Sequence, residues 1–438
     1  MKKLLSLIFV LTLICTCAFA AEPADMSVLN AAGRGEYVEG LSEEEIAALT
    51  ETTVIRDASS PTGYYVSFRY HAPDAKRVRI RGEWSFATDR GSFYPMSDNI
   101  MPEDYEDGMF PLQVDQKDWP AFDMEKNAET GVWFYTIALP CGTWSYRFIT
   151  DGVEGAALTD YTDAFVESDP NNRPIEKELG EQGNSQVRVP FDPEKQSLDL
   201  SVQLPRSDGQ MGTLEVLTYD AIGVETELKD DPAVAVYLPY GYDANREAPY
   251  NVLYLSHGAG LESETSWVNK GSVCNIMDNL IAEGAVEPFV VAIINNYAVS
   301  FDVENLSENI VPLIEENYHV RTDREGKAVA GFSAGGRYAQ GQMLNHPLDF
   351  GYYGLFSGGF FNDEDMVGMR FDAEDLAGAK IYLAAGSKEF GLLAIQRTSS
   401  LLSQCGVSGY HSYVQMGGHD WSSIRQIYVD FVCNELWK

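Results

Sequence analysis

Basic residues are scarce in this chain of 438 residues. Lys and Arg number 31 against 66 Asp and Glu, a formal net charge of −35. A surface of that sign repels phosphate backbones and anionic lipid, which argues against nucleic acid or a membrane surface as a partner. A neutral ligand is expected instead. Cysteine is scarce too, with six residues, and Cys15 and Cys17 fall in an N-terminal apolar run. Cys141, Cys274, Cys405 and Cys433 form no C-x-x-C pair, and none sits at metal-ligand spacing from a His. No metal and no organic cofactor is called for. One of the four lies in the front half and three in the back half, so they cannot all pair within domains. There is no internal repeat and no low-complexity tract.

Long apolar runs are missing as well, apart from Leu4 to Ala20. Lys2 and Lys3 precede that run, and Ala18-Phe19-Ala20 closes it with a small-x-small site. This pattern predicts a secretory signal peptide over 1–20. The mature chain is then secreted or otherwise extracytoplasmic, with no membrane segment left after removal.

What is present divides the chain by texture. Residues 21–60 are small, polar and acidic, with one short helix predicted over Leu41 to Leu49; they read as a leader that packs on the front domain or stays mobile. From 61 to 175, short runs rich in aromatic and β-branched residues alternate with Gly, Pro, Asn and Asp. Tyr64–Tyr70, Val78–Arg81, Val132–Leu139 and Trp144–Ile149 are the expected strands of a small antiparallel β-sandwich. Residues 98–107 form an acidic, solvated loop, and 176–211 read as a polar linker. From 212 to 438, apolar runs alternate with helical periods. Strands are expected at Gly212–Val224, Ala233–Leu238, Asn251–Leu255, Phe289–Ile294, Ala328–Ala330 and Ile381–Ala385, and helices at Cys274–Glu283, Val303–Tyr318 and Gly336–Leu344. The fold class is α/β: a mostly parallel sheet flanked by helices, preceded by a small all-β domain.

Gly331-Phe332-Ser333-Ala334-Gly335-Gly336 fits G-x-S-x-G between a predicted strand and a predicted helix. That is the mechanical requirement of a nucleophile elbow, where small flanking residues let the chain turn and expose the Ser hydroxyl at a helix N-terminus. A free hydroxyl is nearly unreactive at neutral pH, so it needs a base. In this fold the base is a His late in the chain. His419, in the loop Gly417-Gly418-His419-Asp420-Trp421, is the first choice, and His411, in a strand-like stretch, is the second. The third member is a carboxylate that fixes the His tautomer. Glu389 lies just past the strand Ile381–Ala385; Asp363, Asp365, Asp372 and Asp375 are its rivals. Two backbone N–H groups would hold an oxyanion, those of Ala334 and of Ala259 in the loop His257-Gly258-Ala259-Gly260. His257 is expected to pack or bond within that loop.

These residues resemble the esterase-D-like α/β-hydrolases, and carbohydrate esterase family 1 in particular. The similar segments are Val236 to Asp243, Val252 to Gly260, Asn275 to Gly284, Arg321 to Arg324, the elbow, and Gly417 to Trp421. The resemblance maps a nucleophile onto Ser333, a base onto His419 and oxyanion donors onto Ala259 and Ala334. The family's acid is usually Asp, and the matching position here is Glu389. The front domain resembles an early-set sandwich similar to carbohydrate-binding module family 48, through Val78–Trp84, Gly142–Phe148 and Asp169–Asn172. Its aromatics either fill its core or stack on sugar rings.

The resemblance implies a serine esterase acting on feruloyl esters, or else acetyl esters, of plant cell-wall polysaccharide or oligosaccharide. A catecholate siderophore esterase is the first alternative, disfavoured by the negative charge. A non-catalytic carbohydrate-binding protein on a retained hydrolase fold is the second. Acyl group, polymer and oligomeric state are not legible in the residues.

Overall fold

The computed structural model describes residues 29–88, 100–112, 119–151, 166–173, 183–220, 232–260, 262–299 and 301–438. The predicted signal peptide, the start of the acidic loop and the end of the strand expected at Gly212–Val224 lie outside them.

The front part is built from two β-sheets on a shared core. One sheet runs Tyr37–Glu39, Thr53–Arg56, Tyr64–His71, Val132–Ala138 and Glu125–Lys126. The other runs Val166–Glu167, Gly142–Thr150, Val78–Gly82 and Ala121–Asp123, with Ser185–Val189 also paired to Gly142–Thr150. Trp84, Trp144, Tyr146, Phe68, Phe86 and Phe148 are all buried between them. The aromatic richness of this segment is therefore spent mainly on a core. The ring pair Phe122–Tyr135, stacked at 5.2 Å between centroids, stays half-buried.

Two stretches differ from their sequence reading. The leader contributes Tyr37–Glu39 and Thr53–Arg56 to the first sheet, because alternating Val54 buries against the core. Its short helix, Glu43–Ala47, starts on a Ser42–Glu45 capping box, which satisfies orphan N–H groups at both positions. The stretch read as a linker holds the strand Ser185–Val189, whose Val187 and Val189 complete the front core. It then crosses onto the α/β domain. The Asn275 side chain donates to the Gln203 carbonyl at 2.9 Å, and the Asn279 side chain donates to those of Val202 and Leu204 at 2.9 and 2.8 Å.

The α/β domain centres on an eight-stranded sheet. Its order is Thr213–Thr218, Ala233–Leu238, Val290–Ile294, Val252–Ser256, Lys327–Phe332, Tyr352–Phe356, Lys380–Gly386 and Tyr410–Gln415. The pairings of Ala233–Leu238 on either side are antiparallel, and all later ones are parallel. Both faces are buried. Val252 and Tyr254 point into one core and Leu253 and Leu255 into the other, as the period of two requires. Parallel strands covered on both faces read as continuous apolar runs, which is why most of these strands stood out in the sequence; Tyr352–Phe356, interrupted by Gly354, did not. Among the described residues no helix is long and apolar enough to cross a membrane, and all four cysteines are free.

Candidate active site

Ser333 closes the strand Lys327–Phe332 and opens the helix Ala334–Asn345. Its backbone sits at φ 55°, ψ −111°, a region that costs a non-Gly residue about 1–3 kcal/mol. Two bonds hold it there. Ser333 N–H donates to the Phe356 carbonyl at 2.8 Å, and Arg337 N–H donates to the Ser333 carbonyl at 3.0 Å. The glycines around it are required by contact. A Cβ on Gly331 would lie 2.4 Å from the Gly335 carbonyl carbon, and one on Gly335 would lie 2.5 Å from the Ser256 carbonyl oxygen. The elbow thus packs backbone on backbone, and only Gly fits.

The structure brings Ser333, His419 and Glu389 together. Ser333 Oγ lies 2.9 Å from His419 Nε2, and His419 Nδ1 bonds to Glu389 Oε2. A carboxylate only accepts, so Nδ1 carries the proton and Nε2 is left as the acceptor for the Ser hydroxyl. Glu389 is almost fully buried. Its other oxygen, Oε1, takes the Ser357 hydroxyl and the Gly386 N–H. Every acceptor of this carboxylate faces a donor from a different segment, and its orientation is set by the protein.

The loops that carry Glu389 and His419 are joined by backbone. Ser387 N–H donates to the Gln415 carbonyl at 2.7 Å, and Lys388 N–H to that of Gly417 at 2.8 Å. His419 is flanked by Phe332 and Phe390, with centroids at 4.8 and 4.2 Å. Phe390 is also one of the exposed large apolar side chains at this edge. Asp420 caps the helix Trp421–Asp430 by accepting from Ser423 N–H at 2.8 Å, so His419 stands just before a fixed helix start.

The other candidates fall elsewhere. His411 lies in the edge strand and pairs with Glu435 at 2.7 Å. Asp363 pairs with Arg397 and Asp365 with Arg337, while Asp372 accepts backbone N–H groups at the start of its own turn and the Asp375 carbonyl takes an Arg324 guanidinium. None of these carboxylates bonds to His419. His257 is fully buried. Its Nε2 accepts the Asn296 N–H at 3.0 Å, and its Nδ1 donates to the Gly258 carbonyl at 2.8 Å. Burial holds its pKa below the ordinary value, and it braces the loop as a neutral ring. That loop passes close to Ser333, since a Cβ on Gly258 would lie 3.6 Å from Ser333 Cβ. Ala259 is exposed on the same loop. Ala334 is the first helical residue, so its N–H has no intrahelical acceptor.

Sequence reasoning missed Ser357 and the Gly386 N–H. The only signal for Ser357 is its place in Ser357-Gly358-Gly359, just past an apolar strand. A group of three or more His, Cys, Asp or Glu able to hold a metal is not found among the described residues.

A mostly parallel sheet with one reversed strand near its start, carrying a serine elbow and a late histidine on one edge, defines the class: an α/β-hydrolase. Residues 225–426 match the model of a family described as a putative esterase. The chain is 36% identical over 169 residues to an endo-1,4-beta-xylanase/feruloyl esterase of Xylanibacter ruminicola, covering 35% of this chain and 22% of that one. It is 30% identical over 151 residues to endo-1,4-beta-xylanase Y of Acetivibrio thermocellus, covering 31% of this chain and 14% of the other. The chain thus spans less than a quarter of the length of these curated relatives. Among solved structures, the enterobactin esterase FES from Shigella flexneri aligns over 89% of this chain and 98% of its own, with a TM-score of 0.53 at 17% identity. That likeness is one of fold. Residues 225–426 are thus similar to this putative esterase family, and Ser333, Glu389 and His419 all fall within that stretch.

Proposed function

We propose that the protein is a secreted serine esterase that removes feruloyl groups, or else acetyl groups, from plant cell-wall polysaccharide or its oligosaccharides. The observation that carries this reading is the hydrogen-bonded line from Ser333 through His419 to Glu389. In this reading Ser333 attacks the ester carbonyl while His419 Nε2 takes its proton. Glu389 holds the tautomer and stabilises the imidazolium. The N–H groups of Ala334 and Ala259 receive the oxyanion. His419 then protonates the leaving sugar hydroxyl, and water hydrolyses the acyl-enzyme by the same route in reverse.

The choice of acyl group leans on the relative named as a xylanase/feruloyl esterase. Secretion leans on the N-terminal apolar run with its cleavage site. A catecholate siderophore ester is the second reading, favoured by the fold likeness to an enterobactin esterase over 89% of the chain. A net charge of −35 opposes an anionic iron complex.

Product release from methyl ferulate and from acetylated xylan, with Ser333→Ala beside the wild type, tests the reading. Removing a triad nucleophile should cost on the order of 10⁶-fold in turnover. Wild type and variant equally inactive on both substrates would sink it.

A further inference from the structure

Arg425 stands one turn into the helix Trp421–Asp430 that His419 immediately precedes. It is 1% exposed. Its two terminal nitrogens donate to backbone carbonyls of two separate segments. Nη1 reaches Lys270 at 2.5 Å, just past the helix Ser266–Asn269, and Nη2 reaches Thr143 at 3.1 Å, in the front-domain strand Gly142–Thr150. Thr143 Oγ1 also lies 3.5 Å from Ser272 Oγ, so that strand rests on the turn Lys270–Ser272. Across the seam the buried front-domain carboxylate of Glu83 accepts the Ser145 N–H at 2.6 Å. Burial pushes its carboxyl up, while attraction to Arg425 pulls the other way.

The contacts close on the catalytic loops. The Lys270 ammonium pairs with Glu262 at 3.3 Å, and Glu262 also accepts the Trp421 indole N–H at 3.3 Å. Glu262 follows the loop that carries Ala259, and Trp421 follows His419. The front domain touches the base loop directly as well, because a Cβ on Gly418 would lie 2.8 Å from Leu112 Cδ1.

Resting on the serine-esterase reading above, we infer that Arg425 is a positioning residue for the reaction. It ties the helix behind His419 to the front β-domain, and the front domain is a working part of the active site. The physical case is one of geometry. A planar guanidinium can bridge two carbonyls on different segments at once, and a flexible ammonium cannot do so equally well. Without the bridge, two carbonyls lose this donor. The helix start then relaxes, and a displacement of about 1 Å at a catalytic group costs on the order of 10²-fold.

The test is steady-state kinetics of the full chain on methyl ferulate, a substrate that carries no sugar. Arg425→Met should lower kcat by roughly 10- to 100-fold with KM little changed, and Arg425→Lys should recover part of the loss. A folded Arg425→Met with wild-type kcat overturns the inference, even if its Tm is lower, since that is a purely structural role. If Arg425→Met does not fold, Arg425→Lys decides. It keeps the charge and removes the planar fork that bridges the Lys270 and Thr143 carbonyls, and an unchanged kcat there overturns the inference too. A fluorophosphonate probe separates the two levels of the argument. Wild type both inactive and unlabelled at Ser333 defeats the esterase reading and this inference with it. Labelled, active wild type beside a fully active Arg425→Met defeats the inference alone.

Discussion

Replacing Glu389 by Gln changes one oxygen for an NH2 group, and the structure dictates which one. The Oε1 position receives two donors, the Ser357 hydroxyl and the Gly386 N–H. An NH2 group there would face the Gly386 N–H, which has no lone pair to offer. The amide oxygen must therefore occupy that position, and the NH2 group must face His419 Nδ1. His419 then presents a lone pair at Nδ1 and its proton at Nε2, toward Ser333. This is the wrong tautomer for a general base, and in a serine triad that fault alone costs on the order of 10⁴-fold in kcat. KM on methyl ferulate should hold, because Glu389 is buried and lies behind His419. The fold should hold as well, since the substitution is isosteric. The assay is kcat and KM for wild type, Glu389→Gln and Ser333→Ala on the same ester. Activity of Glu389→Gln within about tenfold of wild type, beside a silent Ser333→Ala, would remove Glu389 from the mechanism and refute the tautomer argument.

Other consequences are equally concrete. Gly335→Ala would set a Cβ 2.5 and 2.6 Å from two backbone carbonyl oxygens, those of Ser256 and His257; backbone cannot swing aside, so a loss of about 3 kcal/mol in denaturant unfolding is expected, and an unchanged midpoint would show that the elbow has slack. His257 is depressed by burial, so the unfolded chain takes up a proton near pH 6.5 before the folded one does. Its contribution to stability is therefore present above that pH and lost as pH falls below it. Gln can accept from the Asn296 N–H and donate to the Gly258 carbonyl, so His257→Gln should show a shallower fall of Tm on acidification than wild type; parallel curves would contradict the assignment.

Legibility followed the length scale of each interaction. Most parallel strands were visible because burial on both faces leaves them uniformly apolar, as in Val290 to Ile294, while Tyr352–Phe356, interrupted by Gly354, was not. The elbow was visible because its demand for small residues is local, falling on Gly331 and Gly335 within a few positions of Ser333. His419 and Glu389 could be chosen by chain order and by the loops that hold them. The strand Ser185–Val189 was hidden, since a short run between Gly and Pro residues becomes a strand only through its partner Gly142–Thr150. The leader strands were hidden for the same reason.

The sequence by itself determined which groups are candidates for the reaction, since Ser, His and carboxylate chemistry belongs to residue types and their order along the chain. It also determined the alternation of apolar strands and helices from which the α/β sheet is built. Only the tertiary structure decided how that chemistry is held. Ser357 bonds Glu389 from 32 positions away and His419 from 30. Arg425 meets Thr143 across 282. Such contacts depend on where folding brings distant backbone together, and no local pattern of residues records that distance.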